Sequence, residues 1–190
     1  MDQKKLHAAI AQISKISEQD IALLVSSAVY KKLKKGEAIL KEGEVCRSFY
    51  LVEHGYLRTW YNKNGVPINL HFTLEGEFIS NLKSFKSREP SEVIIEAGEA
   101  TAIWVFDLNA MSAEIRAHPA ISTFVRRLAV RVLLASEEHS GLFKMYTPTE
   151  RYHYIEKNKP QLLQRISLSQ LASYIGITRE TLSRIRAKSN

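Results

Sequence analysis

With one cysteine in 190 residues, Cys46, the chain has no intramolecular disulfide framework and no thiolate set for zinc or an iron–sulfur cluster. No apolar run approaches the roughly 18 residues of a membrane span. The start, Met1-Asp-Gln-Lys-Lys-Leu-His7, lacks the basic-then-apolar order of a secretion signal. These absences point to a cytoplasmic protein without a membrane partner. Histidines at 7, 54, 71, 118, 139 and 153 show no metal-ligand spacing, so no metal is expected. A Gly-rich phosphate loop is missing, and so is an assembled nucleophile–base–orienter set. Ser140 adjoins His139 and Glu138 only along the chain, and neighbours on a helix do not face each other. The chain is therefore not expected to be an enzyme, and Cys46 reads as a spectator thiol.

Acidic charge is also scarce, and unevenly so. The formal net charge is +7. Residues 143–190 hold nine Lys/Arg against three Glu, whereas the first 142 residues hold eighteen against seventeen. The excess surrounds the most informative stretch, Ile166 to Arg186. Leu171, Ala172 and Ile175 recur at helical spacing before Gly176, and Leu182 and Ile185 recur after it. Ser167 with Gln170 is a capping-box signature, and Thr178 is an N-cap for a second helix. At about 100° per residue, Arg179, Glu180, Ser183 and Arg184 share one face of that helix, opposite Leu182 and Ile185. Arg bonds guanine bidentately and Glu accepts from the cytosine amino group, so this face suits base-edge contact in duplex DNA. Arg186 and Lys188 add phosphate-directed charge. The pattern is that of a helix-turn-helix.

Upstream, the first thirty residues are helical in pattern, with a short amphipathic helix starting at Ser17-Glu-Gln-Asp20 and carrying Ile21, Leu24, Val25 and Ala28. Glycines at 36, 43, 55, 65 and 76 then separate short apolar runs at 38–40, 48–52, 56–61, 68–72, 93–95 and 100–105. Many short strands spaced by Gly turns predict an antiparallel sandwich or barrel. Asn62-Lys-Asn-Gly65 is a hairpin signal. Residues from Pro119 to about Leu142 predict one helix of roughly 36 Å at 1.5 Å per residue. On it Ile121, Val125, Leu128, Val132 and Ala135, continuing to His139 and Leu142, alternate at steps of four and three, the seam of a two-stranded coiled coil. Phe124 and Leu133 lie off the seam and are expected to face the β domain. Glu137 to Gly141 reads as a hinge. Thr147-Pro-Thr-Glu150 starts a further helix, and Pro160 breaks the next segment.

Lys35-Gly-Glu37, Glu42-Gly-Glu44, Tyr50-Leu-Val-Glu-His-Gly55, Glu75-Gly-Glu-Phe78 and Thr178-Arg-Glu-Thr-Leu-Ser-Arg184 together resemble the Crp/Fnr family of bacterial transcription regulators. The resemblance covers essentially the whole chain. It implies an α+β fold: a jelly-roll, or double-stranded β-helix, of cyclic-nucleotide-binding type over 1–117, a dimerisation helix over 118–142, and a helix-turn-helix domain over 143–190. It also implies double-stranded DNA with a palindromic operator, a second copy of the chain, RNA polymerase and a small-molecule effector as partners. By that match Thr178, Arg179, Glu180, Ser183 and Arg184, with Arg186 and Lys188, belong to the DNA surface. Gly76, Glu77, Asn81 and Ser91 fall at the effector pocket.

The departures matter as much. Cyclic AMP binders of the family grip the ribose and the cyclic phosphate with a Glu and an Arg. Asn81 and Pro90 stand at those places, and Glu92 adds negative charge. An Arg–phosphate contact is a charge-assisted hydrogen bond worth a few kcal/mol. Cyclic AMP is therefore not expected as the ligand, and no other cofactor is; Lys83, Lys86 and Arg88 are the cations left nearby. The family's β-hairpin wing has no counterpart after Arg186, so a shallower salt dependence of DNA binding is expected. The rival expectation is a small-molecule-binding regulatory module whose helix-turn-helix serves protein contacts.

Overall fold

The computed structural model describes residues 3–189. The chain divides into two compact units, Met1–Thr59 with Phe72–Leu134, and Trp60–His71 with Ala135–Asn190. This differs from a split at 117 and 142: the tip of one hairpin groups with the C-terminal unit, and the boundary falls inside the long helix.

The first unit opens with α1 (Gln3–Ala11) and α2 (Glu18–Ser27). Ser17 caps α2 as its sequence predicts, accepting from the Asp20 N–H at 3.1 Å. Strands β1 (Val29–Leu33), β8 (Thr101–Asp107), β3 (Ser48–His54) and β6 (Phe78–Ile79) form one four-stranded sheet in that order. The second sheet runs β2 (Ala38–Leu40), β7 (Ile94–Ala97), β4 (Leu57–Lys63) and β5 (Val66–Thr73). The strands β6, only two residues long, and β1, Val-Tyr-Lys-Lys-Leu, whose apolar run lysines interrupt, escape prediction. The hairpin between β4 and β5 turns at Asn64 and Gly65, with φ of 52° and 86°. Two successive positive φ values define the I′ turn that an Asn-Gly pair favours.

The central strands are buried on both faces, and their period of two sorts side chains into two cores. Tyr50 and Val52 of β3 and Ile103 of β8 join Leu33, Leu40, Leu57 and Ile95 between the sheets. Phe49 and Leu51 of β3, with Trp104 and Phe106 of β8, point the other way and pack on the helices. That second core receives Leu6 and Ile10 of α1, Ile21 and Leu24 of α2, and Ile121, Phe124, Leu128 and Val132 of the long helix α5 (Pro119–Met145). Two short helices, α3 (Leu82–Ser87) and α4 (Ser112–Ala117), complete the unit.

Here three expectations are corrected. Ile121, Leu128 and Val132 are buried inside the chain's own core, with Val125 packed against it, so they are not an open seam. Burial against sheet side chains uses the same apolar spacing that a coiled coil would, and the nearer partner takes it. Leu133, expected to face the β domain, is exposed instead, together with Val130 and Leu134, the last at 61 %. Nor does the helix break at Gly141. It continues to Met145, since a lone Gly in a helix interior costs only about 1 kcal/mol. The break follows at Tyr146–Thr147, where Pro148 disfavours helical backbone at the residue before it.

In the second unit α6 (Pro148–Asn158) starts on a complete capping box between Thr147 and Glu150. The short α7 (Pro160–Arg165) leads to α8 (Leu168–Tyr174) and α9 (Arg179–Ser189). Leu171, Ala172, Ile175, Leu182 and Ile185 are buried, as their spacing predicts.

Candidate effector cassette and nucleic-acid interface

The geometry between α8 and α9 follows from Gly176. Its φ of +69° permits a Schellman end to α8: Ile177 N–H donates to Ala172 O at 2.9 Å, and Gly176 N–H to Ser173 O at 3.2 Å. Ser167 and Gln170 close a capping box at the other end of α8. Thr178 then caps α9, its Oγ1 accepting from the Thr181 N–H at 3.2 Å. Held this way, α9 buries Leu182 and Ile185 and leaves Arg179, Glu180, Ser183, Arg184 and Arg186 exposed. Lys188 lies on α9, but its side chain is outside the described residues.

Two of these groups carry internal contacts. The Glu180 carboxylate is held below its ordinary pKa, first by its own backbone N–H, then by the Thr178 hydroxyl, with Arg179 and Arg184 adding favourable charge. Arg186 hydrogen-bonds the Tyr152 side chain of α6. Arg179, Ser183 and Arg184 are therefore the freer polar groups of the face. Arg151, counted in the basic excess, is not on the surface: it is buried, its guanidinium 4.7 Å from the Phe143 ring centroid.

Three contacts were not legible in advance. His139 stacks on Tyr174, with centroids 4.2 Å apart and planes 8° apart, and its Nε2 lies 3.0 Å from Tyr174 O. Phe143 meets the same imidazole edge-on at 5.2 Å. Burial pushes the His139 pKa down to about 4, with Lys159 and Arg151 acting in the same direction and the Tyr174 carbonyl and Glu138 opposing. The only advance signal was the i, i+4 spacing of His139 and Phe143, which also fits a weak coiled-coil position. The hairpin tip supplies the third contact. Asn69 N–H donates to Ser173 Oγ at 2.9 Å, and that hydroxyl donates to Pro67 O at 3.2 Å.

Of the four effector-pocket residues, Gly76 and Asn81 border different hollows. Gly76 borders a cleft of about 180 Å³ beside Leu51 and Trp104, whereas Asn81 borders a separate hollow of about 470 Å³ with Lys83, Pro90 and Glu92. The Glu77 carboxylate closes its own turn by accepting from the Leu74 N–H at 2.9 Å. Asn81 caps α3, accepting from the Ser84 N–H, and its Nδ2 donates to Ser91 Oγ at 2.8 Å. Ser91 is 2 % exposed, and its hydroxyl donates to Val93 O at 2.6 Å. Of the nearby cations, Lys83 Nζ is 2.7 Å from Glu92 Oε1 and Arg88 donates to Asn109 at 3.1 Å. Side chains that would face a ligand are thus bonded to one another. Cys46 is likewise buried within the fold, its N–H donating to Ser84 Oγ at 3.0 Å.

Two antiparallel sheets around a shared core, with the Glu75–Glu77 turn and the α3 cassette at one end, meet their counterpart in known proteins. Residues 30–118 match the cyclic nucleotide-binding domain family. No curated protein matches the chain. Solved structures similar to the chain include FixK2 from Bradyrhizobium japonicum, at 20 % identity over 85 % of this chain and 83 % of that one, TM-score 0.69. The c-di-GMP responsive global regulator CLP of Xanthomonas campestris is similar at 16 % identity, over 90 % and 91 %, TM-score 0.70. A transcriptional regulator described as Crp/Fnr-family, from Eubacterium rectale, is similar at 18 % identity over 90 % and 82 %, TM-score 0.68. At these identities the likeness establishes the fold: a cyclic nucleotide-binding β-sandwich domain followed by helices. Among the described residues no group of three His, Cys, Asp or Glu side chains is placed to hold a metal ion. No helix among them is long and apolar enough to cross a membrane.

Proposed function

We propose that the chain is a dimeric, sequence-specific DNA-binding transcription regulator of the Crp/Fnr type whose cassette does not take cyclic AMP. The observation that carries this is α9. Its buried face is anchored by Leu182 and Ile185, and its opposite face presents Arg179, Ser183 and Arg184 to solvent from a capped and turn-fixed N-terminus. That is the geometry in which a second helix enters a major groove with its N-terminal residues toward base edges. The basic excess of residues 143–190 supplies attraction to phosphates. The regulators named above share the fold, which supports the assignment by analogy.

For the dimer, the exposed positions Val130, Leu133 and Leu134 of α5 are the contact face. They recur at steps of three and one, so two copies packed along α5 would cover them while leaving the internal core intact. For the cassette, the Lys83–Glu92 pair and the Asn81–Ser91–Val93 chain of hydrogen bonds occupy the groups a cyclic phosphate would need. CLP responds to a cyclic dinucleotide. Phosphate capture of that kind in this cassette would first have to break an ion pair.

Selection from a randomised duplex pool, repeated with Arg184→Ala, tests the proposal. Enrichment of a palindrome with half-sites about one helical turn, roughly 34 Å, apart, and its loss in the variant, is the expected result. Failure to enrich any sequence, with the dimer intact, would leave α9 as a protein-contact surface and overturn the assignment.

A further inference from the structure

The first sheet carries an open hollow of about 460 Å³ on the face that packs on helices. Lys5 of α1, Tyr30 and Lys32 of β1, Glu53 and His54 of β3 and Ala102 of β8 line it, all within the first unit. Register explains the shape. Ala102 pairs with Lys32 on one side and with His54 on the other. Neighbouring strands lie roughly 4.8 Å apart, so Lys32 and His54 flank the small Ala102 methyl with their Cα atoms about 10 Å apart. His54 reaches this face through a bulge. Val52 pairs with Ile103 and points into the inter-sheet core, and strict alternation would send His54 after it. The extra residue, Glu53, turns His54 to the side of Ala102 instead, and bulges commonly re-aim a side chain in this way.

The groups that meet solvent here are donors. Lys5, Lys32 and His54 are exposed, and the Tyr30 ring is part-exposed. Glu53, the one carboxylate among the lining residues, is part-buried and accepts from the Tyr30 hydroxyl. Two ammonium groups against one carboxylate leave the hollow positive. Lysines on an edge strand such as β1 are by themselves explained as protection against pairing with another chain. Protection of that edge does not call for Lys5 and His54, which come from two other elements to the same hollow.

We propose that this hollow is a small-molecule site, separate from the cassette, for a compact organic anion. One carboxylate or phosphate group accepts from Lys32 Nζ and a His54 ring N–H, and Lys5 adds charge from α1. The apolar body of the ligand lies on Ala102 and the Tyr30 ring.

Benzoate and phenyl phosphate are the probes, with benzamide as the uncharged counterpart, and the Ala102 methyl signal in a methyl-labelled sample is the readout. A saturable shift with at least one anion, and none with benzamide, is the expected result. Saturation by benzoate alone assigns a carboxylate, and by phenyl phosphate alone a phosphate ester. Lys32→Gln and His54→Gln should each weaken binding about ten-fold. Lys31 serves as the control: it pairs with Ile103 and so belongs to the opposite face of β1. Lys31→Gln should weaken binding by less than about two-fold, since only screened, long-range charge is lost. All three side chains are exposed, so the substitutions leave the core intact. Shifts linear in both anions, an equal shift with benzamide, or equal weakening by Lys31→Gln and Lys32→Gln would overturn the proposal.

Discussion

Replacing Gly176 by Ala tests how the turn, the aromatic cluster and α9 depend on one another. The backbone at 176 has φ +69°, and for a residue with a Cβ that conformation costs about 1–2 kcal/mol. A second penalty comes from space. A Cβ at 176 would lie 2.5 Å from Phe143 Cε1, too close to keep. Phe143 is part-exposed, so its ring gives way rather than the backbone. It then loses the edge-on contact with His139, worth about 0.5–1.5 kcal/mol, and the Arg151 guanidinium over its face, worth about 0.5–2 kcal/mol. The whole comes to about 2–5.5 kcal/mol. Hydrogen exchange of the α8 and α9 amides reads this directly, because local opening of the second unit is the event affected. Protection should fall roughly thirty-fold or more, at ten-fold per 1.4 kcal/mol. The decisive comparison is the same substitution in a Phe143→Ala background. With the ring gone only the backbone penalty remains, so the cost should drop to about 1–2 kcal/mol. Equal costs in the two backgrounds would refute the clash, and with it the view that Phe143 fits the turn because residue 176 lacks a side chain.

Arg184→Ala should lose about 1–3 kcal/mol on a selected operator, as measured by fluorescence anisotropy, and relax base preference at the contacted position; uniform weakening on all DNA would make Arg184 a phosphate contact only. Leu134→Glu should dissociate the proposed dimer in sedimentation while the fold persists, whereas Leu128→Glu places a charge in the closed core and should unfold the first unit. A folded monomer from Leu128→Glu would restore the seam that the core burial removes. Acid should destabilise the second unit through His139. Its folded pKa, about 4, lies below the ordinary 6.5, so between those values the unfolded chain binds a proton that the folded chain does not. Stability is therefore complete above about pH 6.5 and declines as pH falls toward 4. His71, pushed down to about 3 mainly by burial, acts in the same sense. His139→Gln should flatten the slope of the urea midpoint against pH in that window; an unchanged slope would assign the effect elsewhere.

Legibility in the sequence tracked how local each feature is. The capping boxes at Thr147 and Ser167, the Asn64-Gly65 turn and the Gly176 turn depend on residues within five positions of one another, and each forms where expected. The α9 face was equally accessible, because helical period alone separates Leu182 and Ile185 from the Arg side. Features that depend on distant partners were not. Nothing near Asn69 announces Ser173, and nothing near Tyr174 announces His139. The cassette was half legible. Its substitutions at Asn81 and Pro90 stand in the sequence, but the mutual bonding of Asn81, Ser91 and Val93 needed the fold.

The long helix shows why spacing alone misassigns an interface. A repeat of alternate four and three marks which residues want burial, not what buries them. On α5 the repeat Ile121, Leu128, Val132 meets Leu6, Leu24 and Trp104 of the same chain, within one cooperative core. Contacts inside a chain form without the translational and rotational entropy that association costs, so an apolar stripe able to pack internally does so. What remains for a second copy is the stripe that the core cannot reach. Val130, Leu133 and Leu134 stand there at 54, 52 and 61 % exposure, between the charged Arg127 and Glu137. Three large aliphatic groups so close on one helix face form an apolar patch of the kind that marks an interaction site. The dimer surface is therefore sought in the residues that broke the heptad rather than in those that made it.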